Sequence, residues 1–213
     1  MESPASIEQP FSEKEVWGVI QSCNGNKAPR PDGFNMHFIK EQWGMIKDDV
    51  MKLFNVFFST GNLDKRLNNS FIVLILKCTL PTCLNMYRPI SLVGCIYKIV
   101  AKVLANRLKR VMEEVVEDNQ FSFVSGKQIL DCCLVANEVI DSIKKSGLRG
   151  LLLKVDFKKA YDSVEWQFLD LVMRKMNFGA KWRKWIWTCV SIVSLSVLVN
   201  GTPSRQFHTS RGL

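Results

Sequence analysis

Apolar residues recur along this chain at two different periods, and the switch between them divides it into helices and strands. Ser12 and Glu15 form a capping box, with Phe11 and Val16 placed as its hydrophobic staple, so a helix is predicted to run to about Ser22 and stop at Asn24-Gly25. From residue 36 to 58 the apolar spacing is again helical; it breaks at Gly44 and stops at Gly61, which predicts two packed helices. Residues 71–76 (FIVLIL) read as a short strand buried on both faces. Ile96, Ile99, Val103, Leu108, Val111 and Val115 mark one face of a long helix whose other face carries Lys98, Lys102, Asn106 and Lys109. A further amphipathic helix uses Ile129, Cys133, Ala136, Ile140 and Ile143 as its core face.

Period two returns at residues 151–157, where Leu151, Leu153, Val155 and Phe157 alternate with Leu152, Lys154 and Asp156, so a strand carrying Asp156 at its exit is expected. Asp162 and Glu165 resemble a capping pair that opens a helix through Trp166, Leu169, Val172 and Met176, and Trp182, Trp185 and Ile186 belong to another helix. Leu195, Val197 and Val199 alternate before Asn200-Gly201, a strong hairpin signal. The stretch Lys27-Ala28-Pro29-Arg30-Pro31-Asp32-Gly33 excludes helix and predicts a fixed loop.

Charge narrows the partners. The 29 Lys+Arg against 20 Asp+Glu leave +9, which favours a polyanion, with nucleic acid ahead of an anionic membrane surface. The apolar run 71–76 is too short to span a bilayer and residues 1–11 lack the apolar core of a secretory signal, so a soluble intracellular protein, nuclear or cytoplasmic, is expected. Seven scattered cysteines without a CxxC pair suggest buried thiols rather than disulfides or zinc, and two distant histidines, His37 and His208, offer no ligand spacing. By itself Asp156 reads as a turn or cap residue, and Asp162 as a helix cap rather than a second metal ligand.

Read together and in order, several segments resemble the reverse transcriptase domain of plant non-LTR (LINE-type) retrotransposons. They are Lys27 through Phe34, Ile72 through Lys77, Tyr87 through Leu92, Tyr97-Lys98-Ile99 with Leu104-Ala105-Asn106-Arg107-Leu108, Gln120 through Ile129, Lys154-Val155-Asp156-Phe157-Lys158-Lys159-Ala160-Tyr161-Asp162, and Val199-Asn200-Gly201. The resemblance implies an α+β fold: a partial right-hand polymerase with helix-rich fingers and an incomplete palm sheet. It divides into an N-terminal lead-in (1–26), a fingers-like region (27–145) and a partial palm (146–213).

It also implies roles. Asp156 is similar to the first metal-binding carboxylate, which would hold Mg2+ only weakly when alone, and Phe157 to the residue that brings main chain toward the nucleotide. Tyr161 is similar to the steric gate against a 2′-hydroxyl, and Lys77 and Arg88 to the residues gripping the incoming deoxynucleoside triphosphate. Gln120, Phe123 and Gly126 are similar to the template-facing segment, and Lys98, Lys102 and Arg107 to helix residues that contact the nucleic acid, an RNA template with a DNA primer. Departures from the family pattern are Arg30 for glycine, Leu76 for proline, Ser122 for alanine and Lys127 for arginine. The Gln-Gly-Asp-Pro and Tyr-x-Asp-Asp segments of the family do not occur in these 213 residues. The expectation is therefore a fragment of an RNA-directed DNA polymerase that does not complete the active site alone and self-associates through open sheet edges. The alternative is an inactive remnant that binds nucleic acid non-specifically.

Overall fold

A computed structural model describes residues 4–26, 33–122, 124, 126–157 and 159–212. The expected loop at 27–32 and Phe123 lie outside the described residues. Helix α1 (Glu13–Ser22) starts where the cap predicts, with the Glu15 amide donating to Ser12 Oγ at 3.2 Å. Helices α2 (Met36–Glu41) and α3 (Trp43–Thr60) break at Gln42 rather than Gly44, and α3 stops at Gly61, whose φ of 68° is left-handed. Strands β1 (Asn69–Leu76) and β2 (Tyr87–Val93) form an antiparallel ribbon, followed by the long helix α4 (Cys95–Val115). After α5 (Ile129–Lys145), α6 (Trp166–Lys175) and α7 (Ala180–Ser191) come β3 (Ser194–Val199), β4 (Thr202–Pro203) and β5 (Phe207–His208).

The core lies among α1, α3, α4 and α7, where Val16, Ile20, Phe54, Phe57, Ile99, Val103, Trp182 and Trp185 are buried. Phe11 joins it from the N-terminal side, its ring 5.1 Å from Phe54 and 5.2 Å from Trp185. The hairpin at Asn200-Gly201 forms as expected: both residues have positive φ, 49° and 81°, the type I′ geometry that matches strand twist. No helix among the described residues is long and apolar enough to cross a membrane. The mixed helix-and-sheet architecture is of the α+β class.

Several expectations are corrected. Strand β1 is half-buried rather than buried on both faces, and its last residues, Ile75 and Leu76, are exposed. The β3–β4 hairpin does not stand apart from the β1–β2 ribbon: β3 pairs in parallel with β1, Ser70 opposite Leu195 and Ile72 opposite Val197, so all five described strands share one sheet. Residues 151–157 form no strand with any described partner and are exposed throughout, because period-two alternation makes a strand only where a neighbour completes its ladder. Helix α5 exists but buries none of its residues: on its predicted core face Ile129 is 65% exposed, Cys133 and Ala136 are exposed, and Ile140 and Ile143 are half-buried, so the stripe is not covered by a core among the described residues. Its polar positions carry Asp131, Glu138 and Asp141 against Lys144 and Lys145, a net-acidic set ill suited to an anionic membrane. Asp162 is no helix cap: it lies in a 3-10 turn (Tyr161–Ser163), and α6 starts only after Val164 and Glu165 adopt extended backbone. Cys23, Cys95 and Cys189 are buried thiols, but Cys78, Cys83, Cys132 and Cys133 are exposed.

Candidate functional site

The register of the β1–β2 ribbon decides what Lys77 and Arg88 can do together. Ile75 stands opposite Arg88 and Leu76 opposite Tyr87. The Lys77 amide donates to the Met86 carbonyl at 2.8 Å, which carries the ladder one step further. Side chains alternate between faces, so Lys77 and Arg88 project from the same face as diagonal neighbours, a relation that separates Cα atoms by about 7–8 Å. Both are exposed at the loop end of the ribbon. The Lys77 ammonium donates to the Asn85 carbonyl at 2.8 Å, which holds it beside the turn. A compact point charge and a forked guanidinium on one face suit a ligand with several anionic oxygens.

The second group sits on a different element. Asp156 and Phe157 lie on the exposed 151–157 segment, Phe157 being 76% exposed, and Tyr161, 60% exposed, opens the following 3-10 turn. A catalytic dication needs several oxygen donors converging on one point. Among the described residues no group of three or more His, Cys, Asp or Glu side chains could hold a metal ion. The donor set around Asp156 therefore does not fit a tightly bound Mg2+.

The third group is divided. Gly126 occupies a φ of +79°, which a Cβ would strain, and Lys127 bends back so that its ammonium donates to the Asp118 carbonyl at 2.9 Å. The Gln120 side chain donates to the Ser122 carbonyl at 3.0 Å, so it shapes its own turn. Lys98 is half-buried on α4, and Lys102 donates to the Ser22 carbonyl at 3.3 Å, where a cation complements the C-terminus of α1.

Arg107 does not face solvent and is corrected as a nucleic-acid contact. It is 2% exposed, and its guanidinium spends all five N–H donors internally. Nε and Nη2 bind the two Glu15 carboxylate oxygens at 2.7 Å each, Nη1 reaches the Ile7 and Gln9 carbonyls at 3.0 and 2.6 Å, and Nη2 reaches the Pro10 carbonyl at 3.0 Å. The guanidinium also lies 4.1 Å from the Phe11 ring centroid. The signal was present in the spacing, since Arg107 stands four residues after Val103 and four before Val111, both buried.

Lys77 and Arg88 thus share one face of a paired ribbon, while Asp156, Phe157 and Tyr161 lie on a separate exposed segment and the turn that follows it. Residues 75–213 match the family model described as reverse transcriptase (RNA-dependent DNA polymerase), and the chain belongs to that family. It is 26% identical over 97% of its length to the "Transposon TX1 uncharacterized 149 kDa protein" of Xenopus laevis. It is 24% identical over 96% of its length to the "Retrovirus-related Pol polyprotein from type-1 retrotransposable element R2" of Nasonia vitripennis. Over 76% of its length it is 28% identical to the "Putative 115 kDa protein in type-1 retrotransposable element R1DM" of Drosophila melanogaster. These relatives belong to non-LTR retrotransposons, and the chain spans only 16%, 19% and 16% of their respective lengths.

Proposed function

We propose that this chain supplies the triphosphate-gripping fingers and the first catalytic carboxylate of a LINE-type reverse transcriptase from a plant element, acting inside the cell on an RNA template and a DNA primer. The observation that carries the reading is the shared face of Lys77 and Arg88 at the loop end of the β1–β2 ribbon. There the incoming deoxynucleoside triphosphate would lay its anionic oxygens, while Tyr161 screens the sugar and Asp156 waits for the metal. The plant affiliation is supported only by the order of the motifs. The chain's own residues bind and orient the nucleotide; no step is assigned to Mg2+, because among the described residues no group of three or more ligating side chains surrounds Asp156.

Titration of the 213-residue chain with a deoxynucleoside triphosphate tests the grip. Lys77→Ala and Arg88→Ala should each weaken binding by about tenfold or more, the value of a hydrogen bond to a charged group. Equal affinity of the parent for the triphosphate and the uncharged nucleoside would defeat the reading. That no donor group surrounds Asp156 among the described residues favours a second role, a remnant that binds nucleic acid without sequence preference and self-associates through the exposed apolar residues of α5 and 151–157.

A further inference from the structure

Between residues 166 and 191 the chain carries five Lys and Arg against one Asp, compared with 29 against 20 overall, so its basicity is concentrated on α6 and α7. The two helices are joined by residues 176–179 and form a hairpin. Arg183 on α7 reaches Asp170 on α6, and Trp187, one turn later, meets Trp166, one turn earlier, so the helices run back along each other. A groove of about 570 Å³ lies between them and shares no residue with the triphosphate grip. On α6 it is lined by Gln167, Asp170 and Arg174, which the helical repeat places on one face, and on α7 by Arg183, Lys184 and Trp187. Seven residues separate Gln167 from Arg174, so the lined length is about 10 Å.

The charges that line the groove are not all spent. Arg183 Nη1 donates to both Asp170 carboxylate oxygens at 2.9 Å, which neutralises that carboxylate. Arg174 reaches Asp170 only at 3.5 Å, and its side chain is 66% exposed, so most of its donors remain available. Lys184 is exposed; its stem lies along Gly61, where an added Cβ would meet Cδ at 2.8 Å, and it has no ion-pair partner among the described residues. Trp187 is braced by the Trp166 ring, 6.2 Å away at 77°, and is still 40% exposed. Two accessible cations therefore stand beside an accessible, braced aromatic ring.

We infer that the α6–α7 groove binds a short stretch of single-stranded nucleic acid, with a base against Trp187 and phosphates on Arg174 and Lys184. A basic track combined with an aromatic platform suits a single strand read without sequence preference, since every base has a π-face. A duplex keeps its base faces in its own stack, and an aspartate-rich peptide brings charge without a planar ring. The inference rests on nucleic acid being the chain's partner and adds the form of the strand and its place; it does not use Lys77 or Arg88.

The test is isothermal titration calorimetry of the 213-residue chain with tetradeoxyadenylate and with an abasic tetranucleotide of the same backbone. The base-bearing strand should bind about fivefold or more tightly than the abasic one, the contribution of one stacked base. Trp187→Ala should remove that difference at unchanged salt slope, and Trp187→Phe should retain most of it, with the circular dichroism spectrum kept in both. Arg174→Gln and Lys184→Gln should each lower the log-log salt slope by about 0.7, the single-strand value per phosphate, whereas Lys14→Gln, at an exposed position on α1, should leave it unchanged. Equal binding of the two strands, a difference that survives Trp187→Ala, a slope that Lys14→Gln lowers as much as Arg174→Gln, or tetra-aspartate binding as tight as the strand's would overturn the inference. Strand binding that all the groove variants leave intact would remove the groove alone; a parent chain that binds no strand would remove the nucleic-acid reading with it.

Discussion

Replacing Arg107 by methionine separates two incompatible uses of a basic residue on α4. If Arg107 neutralised a phosphate, its loss would leave the fold intact and lower the salt slope of nucleic-acid binding by about one unit. The structure predicts the reverse. Glu15, with a side chain 23% exposed, would lose its bidentate partner, and the carbonyls of Ile7, Gln9 and Pro10 would lose their donors. Breaking a buried pair in this way costs about 3–5 kcal/mol, because the remaining charge is left uncompensated. Against a typical stability of roughly 5–15 kcal/mol that is a large share. For a chain of this size the melting temperature should drop by roughly 6–20 °C.

Urea denaturation followed by circular dichroism measures the loss directly. Arg107→Lys should recover only part of it, since an ammonium cannot reproduce five planar donors. Adding Glu15→Leu to Arg107→Met should restore stability relative to the single variant, because the stranded carboxylate is then gone. A loss below about 1 kcal/mol in Arg107→Met, or a reduced salt slope at unchanged stability, would refute the buried-clasp account.

Three further outcomes are expected. The 213-residue chain should show no incorporation of labelled deoxynucleotide on a primed RNA template; among the described residues Asp156 has no companion donor cluster, and forfeiting even ~4 kcal/mol of transition-state stabilisation slows a reaction roughly a thousandfold. Incorporation that Asp156→Asn abolishes would disprove this. Nucleic-acid binding should weaken with salt at a log-log slope of about −0.9 per duplex phosphate neutralised, and the exposed Lys154 and Lys159 should each contribute more than Lys102, whose ammonium is held by the Ser22 carbonyl. A slope that Lys102→Gln reduces as much as Lys154→Gln would count against that ranking. Stability should fall as pH rises above about 9: burial pushes the Cys189 thiol up to about 12 from an ordinary 9.0, and burial first, then the nearby Cys189, raises the Tyr97 hydroxyl although Asn68 opposes it. Both groups are neutral in the fold and ionise more readily when unfolded, so their stabilisation is complete below the unfolded values and is lost on the alkaline side, by on the order of 1 kcal/mol per pH unit for each group. Urea midpoints near pH 8 and near pH 11 that coincide would contradict it.

What could be read from the sequence was local. Ser12 announces the start of α1, Gly61 the end of α3 and Asn200-Gly201 the turn after β3, because each solves a backbone problem within a few residues of itself. The same locality misled the reading of Asp162, whose spacing to Glu165 imitates a capping pair although the chain stays extended through Val164 and Glu165. The contents of the candidate grip were legible as Lys77 and Arg88, but their common face follows only from the pairing of Ile75 with Arg88, a cross-strand fact. The parallel pairing of β1 with β3 joins residues more than a hundred positions apart, and nothing in either strand's own pattern specifies it.

Helix α5 and residues 151–157 show where this kind of reading ends. Apolar spacing states which face of an element gains by leaving water, at roughly 25 cal/mol per Å² of apolar surface, but it does not state what covers that face. In α1, α3, α4 and α7 the partners are one another, and the spacing translates directly into the buried set of Val16, Phe54, Val103 and Trp185. In α5 and 151–157 equally regular apolar patterns leave Ile129 at 65% and Leu153 at 78% exposure. Asp156 lies within 151–157, and α5 precedes that segment, so the aspartate's position rests on elements that bury none of their described residues. A catalytic carboxylate must be fixed to within about 0.5 Å to act. The disposition of Asp156 therefore depends on whatever covers 151–157, whereas Lys77 and Arg88, tied into a paired ribbon on a packed helical core, are positioned by the chain itself.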